Sequence, residues 1–149
     1  MTAQSNAALG RAFIESFNAR QSDSAWLDKM LAFLSEDCEF IDVPAGWTSM
    51  GLTGYKQLLL FFSEGFPVGE VEVTNVFATE DQAVVELVGR GTNTGPLHLP
   101  TGDVPATGRP AELRFCYVMQ IRDGKFVSLH LYYNIMTMLQ QLGLLPATG

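Results

Sequence analysis

The dipeptide Asp123-Gly124 constrains this chain most, because it stands between two long apolar runs, Leu113 to Ile121 and Phe126 to Tyr133. Asp-Gly between β-rich runs predicts a tight hairpin turn, since Gly takes the positive φ that such a turn requires. Past Tyr133 the apolar period changes from two to about 3.6. Ile135, Met138, Leu139 and Leu142 then share one helical face, with Asn134 placed to cap the helix and Gly143 to end it. Pro146 keeps the helix from resuming. Strand, turn, strand and short amphipathic helix are therefore expected to close the chain.

Upstream, Leu9, Phe13, Ile14 and Phe17 recur at helical spacing and predict a helix over 7–18. Trp26, Leu27, Met30, Leu31 and Leu34 predict a second over 24–34, with Ser24 or Asp23 as cap. CEFIDV (38–43) reads as a short strand that Pro44 to Gly46 interrupts. Tyr55, Leu58, Leu59 and Phe62 predict a third helix from Thr53 or Gly54 to Phe62. Two strands follow, over 71–79 and 83–90. In the second, Val84, Glu86, Val88 and Arg90 share one face, and Val85 and Leu87 the other. Residues 92–108 form a Gly-, Pro- and Thr-rich connection longer than an ordinary hairpin loop. The order predicts one α+β domain over 1–149, with helices on one face of a curved antiparallel sheet and a pocket between them.

Composition narrows the partners. A net charge of -7 argues against nucleic acid and against an anionic membrane surface. No apolar stretch approaches the roughly 20 residues of a membrane span. The N-terminus has no basic start or long apolar core, so it is not read as a secretory signal. Cys38 and Cys116 lie far apart and read as buried free thiols, which suits a reducing cytoplasm. Neither a metal-ligand spacing, a phosphate loop nor a serine elbow is present, so no metal site is expected.

SFNAR (16–20), GRGTNTG (89–95), the loop P-x-G-x-x-P-x-T-G-R-P (100–110), RDGK (122–125) and LYYN…LQQLGLLP (131–146) resemble the SnoaL-like polyketide cyclases, within the nuclear transport factor 2-like superfamily. The resemblance implies a cone of helices and curved sheet, a deep apolar pocket, and a homodimer or higher homo-oligomer. It implies ring closure of a polyketide ester by an intramolecular aldol reaction, without metal or organic cofactor. Epoxide hydrolases and ketosteroid isomerase are more distant relatives on that fold. In the family an acid/base Asp lies on the last strand, at the position of Leu131 here. Its partner His falls at Tyr117, and the pocket Asn of the first strand at Asp42.

An aldol cyclisation needs a base for a carbon acid, donors for the enolate and an apolar wall. Asp42, in an apolar strand before Pro44, is the favoured carboxylate, or else a turn former. Tyr117 and Glu86 are the further catalytic candidates. Tyr117 reads equally as a core tyrosine, and Glu86 as a solvent or interface residue. Trp47, Phe62, Phe115, Leu131, Tyr133 and Asn134 are the candidate contacts for an apolar ligand, Asn134 doubling as cap. Trp26 reads as pocket wall or core, His98 as exposed, and His130 as outward, opposite to Leu131. Three readings stay open: an acid/base enzyme, a binding module without turnover, and an assembly protein using the outer sheet face. That face, with Cys116, Val118, Ser128, His130 and Tyr132, is too apolar to stand bare, so self-association is expected.

Overall fold

The computed structural model describes residues 2–99 and 101–145. Helix α1 (Ala3–Glu15) starts earlier than its apolar stripe, because Thr2 and Ser5 form a reciprocal capping box in the polar tail. It continues as a 3-10 turn, Ser16–Gln21, rather than as α-helix to Asn18. Helix α2 is only Trp26–Leu31. The expected helical end is instead strand, because β1 (Leu34–Asp42) reaches back to pair Leu34 with Phe126, with an irregularity before Glu39. The Pro44–Gly46 breaker proves to be a hairpin turn. Gly46 has φ 67° there, and a short strand not foreseen, β2 (Trp47–Met50), pairs back along β1. Helix α3 (Leu52–Gly65) and strands β3 (Glu70–Ala78) and β4 (Gln82–Thr92) lie within a few residues of their expected spans.

The long connection carries a hairpin of its own, β5 (Leu97–Leu99) and β6 (Gly102–Val104). Asn93, fully buried, clamps this connection. Its amide donates to the carbonyls of Gly65 and Gly95, and its oxygen accepts from the backbone and hydroxyl of Thr107. His98 links the hairpin to α3, standing 2.8 Å from Asp103 and 3.1 Å from Glu64. Asp103 first, then Glu64, raises the imidazole above its ordinary pKa.

Strands β7 (Pro110–Arg122) and β8 (Lys125–Tyr133) form the hairpin that Asp123-Gly124 predicted. Both turn residues have positive φ, 52° and 74°. Helix α4 (Ile135–Gln141) follows, its first turn capped by the Asn134 side chain, and Gly143 ends it at φ 72°. Pro146 lies outside the described residues. The sheet order is β2-β1-β8-β7-β4-β3, antiparallel except for the β1–β8 pair. The main core lies between its inner face and the helices, around Phe13, Phe40, Tyr55, Phe126 and Leu129. A smaller core gathers Leu97, Met138 and Leu142 under the long connection.

Candidate active site

One register row crosses the inner face of the sheet. Asp42 on β1 is opposite Leu131 on β8, Leu131 opposite Tyr117 on β7, and Tyr117 opposite Val85 on β4. Two residues along, Tyr133, Phe115 and Leu87 form the next row on the same face. Helix α3 lays Tyr55, Leu59 and Phe62 over these rows, and α1 adds Phe13 and Ile14.

A partly open apolar cavity lies between sheet and helices. Tyr55, Phe62, Phe115, Tyr117 and Leu131 are among its walls. Along β4 the inward positions run from Val85 and Leu87 to Gly89 and Gly91, and Leu87 and both glycines line the cavity. At the mouth a Cβ on Gly91 would stand 2.9 Å from the Cα of Gly69, so two bare backbones meet there. Arg20, within the SFNAR segment, braces that end. Its guanidinium donates to the carbonyls of Phe17, Phe66, Pro67 and Gly69 and lies 4.0 Å over the Phe17 ring. Burial lowers its pKa, against the charge of nearby Glu70.

Two polar groups punctuate this apolar interior. The first is the hydroxyl pair of Tyr55 and Tyr117, 3.0 Å apart. The second is the Asp42 carboxylate, only 6% exposed. Its Oδ2 accepts from the Tyr133 hydroxyl at 3.1 Å and its Oδ1 from the Ala45 backbone at 3.3 Å. Burial pushes the carboxyl above its ordinary range, and these two hydrogen bonds pull part of the rise back. Burial likewise raises Tyr133 and Tyr117, and the Asp42 charge adds to both. Asp42 stands beside the cavity rather than in its lining. Tyr133, expected to contact a ligand, also stands outside the lining, its ring packed behind Phe62 and Phe115, which belong to it.

The structure thus places Asp42 and Tyr133 together, and Tyr117, Phe62, Phe115 and Leu131 around the cavity. Glu86 does not join them. It is exposed on the outer face, where Asn75 donates to it. Trp47 is 39% exposed on the edge strand β2, turned edge-on to Phe40, and Trp26 packs on Phe17 outside the cavity lining. Asn134 spends its side chain on the α4 cap. His130 points outward to Glu39 at 2.9 Å, as alternation required. Cys38 is buried, its thiol pushed up to about 12, mainly by burial, while Cys116 is only half-buried. Sequence reasoning missed Tyr55, which reads as one more apolar position of α3. Among the described residues no group of three or more His, Cys, Asp or Glu could hold a metal ion. Among the described residues no helix is long and apolar enough to cross a membrane.

Comparison with solved structures shows the fold. A candidate SnoaL-like polyketide cyclase from Jannaschia sp. CCS1 aligns with TM-score 0.80 at 21% identity, over 97% of this chain and 96% of that one. The candidate hydroxylase AclR from Streptomyces galilaeus aligns with TM-score 0.73 at 21% identity, over 96% and 86%. IdmH from Streptomyces antibioticus, a candidate polyketide cyclase, aligns with TM-score 0.70 at 24% identity, over 91% and 96%. No protein with a curated description matches. The α+β arrangement is the nuclear transport factor 2-like one that the sequence led us to expect. With its model matching residues 9–142, nearly the whole chain, the protein belongs to the SnoaL-like polyketide cyclase family.

Proposed function

We propose that the protein is an acid/base enzyme acting, without a cofactor, on a bulky apolar carbonyl compound of polyketide or terpenoid type. The observation that carries this is the buried Asp42 carboxylate, held by Tyr133 and placed next to Leu131 in the row that also holds Tyr117. The family's base position carries Leu131, so Asp42 supplies the carboxylate from the neighbouring strand. A carboxyl with a raised pKa is the stronger base once ionised. Asp42 takes the proton from the carbon next to a carbonyl, and the electron pair moves onto that carbonyl oxygen. In a cyclisation the enolate carbon then adds to a second carbonyl, and the proton held by Asp42 passes to the new alkoxide. Phe62, Phe115 and Leu131 exclude water and strengthen each of these interactions.

The enolisable bicyclic ketone 2-tetralone tests this reading. Incubated in D2O with the protein, it is expected to exchange its α-protons faster than in buffer, as followed by NMR. Asp42→Asn is expected to lower that catalysed rate by about 100-fold or more, the scale of a lost general base. The variant keeps the shape and removes a carboxylate that burial disfavours, so its melting temperature should not fall. Catalysed exchange that survives in Asp42→Asn sinks the assignment.

A second reading is favoured by the cavity itself. Its walls at the register row are Leu131 and Tyr117, and the carboxylate of Asp42 lies outside the lining. A binding module would hold 2-tetralone with no catalysed exchange in either protein.

Self-association belongs to both readings. On the outer face Ile41, His130, Val118, Val84 and Phe77 form one row, beside Tyr132 and Cys116 in the next. Phe77 is 55% and Tyr132 44% exposed, which supports reading the face as an interface between copies. Gel filtration at micromolar concentration is expected to return a dimer or larger species, and a monomer would count against it.

A further inference from the structure

We propose that Tyr55 and Tyr117 act as a unit that presents one uncommitted O–H to the cavity, with Tyr117 as the donor to a ligand carbonyl oxygen and Tyr55 as its positioning residue. This rests on the reading above insofar as the ligand carries a carbonyl, and it assigns a role to Tyr55, which the sequence left as core.

Hydrogen counting carries the inference. Each hydroxyl has one hydrogen and can accept through two lone pairs. The two oxygens lie 3.0 Å apart, and among the described residues neither has a second hydrogen-bond partner. One hydroxyl must donate to the other, and the acceptor's own hydrogen is then left over. Whichever way the bond runs, the pair holds one spare donor and no protein acceptor for it. Tyr55 is 1% and Tyr117 6% exposed, so water does not freely satisfy that donor in the packed interior. Both residues line the cavity, whose other walls are apolar side chains and glycines apart from Glu70 and Arg90. A buried donor facing an apolar hollow selects a ligand that brings an acceptor oxygen to it and disfavours a hydrocarbon of the same shape.

The direction follows from the surroundings. Tyr55 is enclosed by Phe13 and Phe40, whose rings offer no acceptor of comparable strength. Tyr117 lies two strands from Asp42, with Leu131 between them, and feels its negative charge. That charge favours the Tyr117 hydrogen turned along the row and the Tyr55 hydrogen turned onto the Tyr117 oxygen. Adjacent strands are about 4.8 Å apart, so the Asp42 and Tyr117 backbones are separated by roughly 10 Å. A ketone lying over Leu131 can then meet Tyr117 with its oxygen, on the side of the row where Asp42 stands. The accepted bond from Tyr55 polarises the Tyr117 hydroxyl and strengthens its donation.

Infrared difference spectra of bound 2-tetralone test this without relying on turnover. The carbonyl band is expected below its position in hexane when the ketone is bound to the wild-type protein. Tyr55→Phe should reduce this displacement, and Tyr117→Phe should reduce it further, toward the hexane value. Tyr117→Phe should also bind the ketone about 3- to 10-fold more weakly, the scale of one hydrogen bond. Wild type should prefer 2-tetralone over tetralin, and Tyr55→Phe with Tyr117→Phe together should lose that preference. A band at the hexane position in the wild type overturns the proposal, and this holds even if a variant fails to fold. So does a failure of 2-tetralone to bind. A full displacement in Tyr55→Phe returns Tyr55 to a purely structural role. A displaced band without proton exchange would leave the donor pair standing and remove Asp42 as base.

Discussion

Replacing Asn93 by alanine is expected to destabilise the fold by about 3–5 kcal/mol, since it leaves several buried polar groups unpaired at once. Asn93 is fully buried, and its side chain joins α3 to both ends of the long connection. Truncation strands the Gly95 carbonyl and the backbone N–H and hydroxyl of Thr107, and leaves the Gly65 carbonyl only the longer bond from the Gly95 N–H at 3.3 Å. Water has little room to replace them, because a Cβ on Gly95 would already fall 1.8 Å from the Glu64 carbonyl oxygen. Asn93→Asp should be no milder, because a carboxylate cannot donate to the two carbonyls. The check is the urea midpoint at unchanged slope. A loss below about 1 kcal/mol, within the ordinary range of a surface change, would show that the clamp does not hold this region.

Phe13→Ala is the second large effect, about 3–5 kcal/mol, as expected for emptying an aromatic site in a packed core. Phe13 has no exposure and packs against Phe126 at 5.0 Å, Phe33 at 5.4 Å, Tyr55 at 5.9 Å and Tyr117 at 6.4 Å. It therefore ties α1 to the sheet and to the tyrosine pair. The same substitution touches neither hydroxyl, so it separates support from chemistry. Ketone binding should weaken while the carbonyl band of whatever remains bound keeps its displacement. Phe13→Leu retains most of the volume and should cost roughly 1.5 kcal/mol or less. Thermal and urea unfolding of the pair measure the difference, and equal stabilities would place Phe13 outside the stabilising core.

Local chemistry determined a large part of this molecule. Asp123-Gly124 fixes the β7–β8 hairpin because few residues accept the positive φ found at both turn positions. Asn134 and Gly143 bound α4 for equally local reasons, one by accepting from Thr137 and one by its backbone freedom. Alternation in β4 placed Val85 and Leu87 inside and Glu86 outside, although the catalytic promise of Glu86 as a carboxylate drew attention the other way. The segments of family resemblance span the chain, and the family model matches residues 9–142.

Tertiary structure decided the rest, wherever a partner distant in sequence sets the outcome. Residues 34–37 carry no strong strand signal, yet Leu34 pairs with Phe126 on a strand that lies far along the chain. β2 is too short to show a period, and it exists because the Pro44–Gly46 turn returns it along β1. Parallel pairing of β1 with β8 brings Asp42 beside Leu131, a register that no local pattern encodes. Tyr55 has the spacing of an apolar helix residue, and only the packing of α3 over β7 brings its hydroxyl to Tyr117. Spacing along the chain reports which face a side chain takes, because backbone geometry is local. Which polar atoms meet across the core depends on long-range packing and register, so that part belonged to the structure alone.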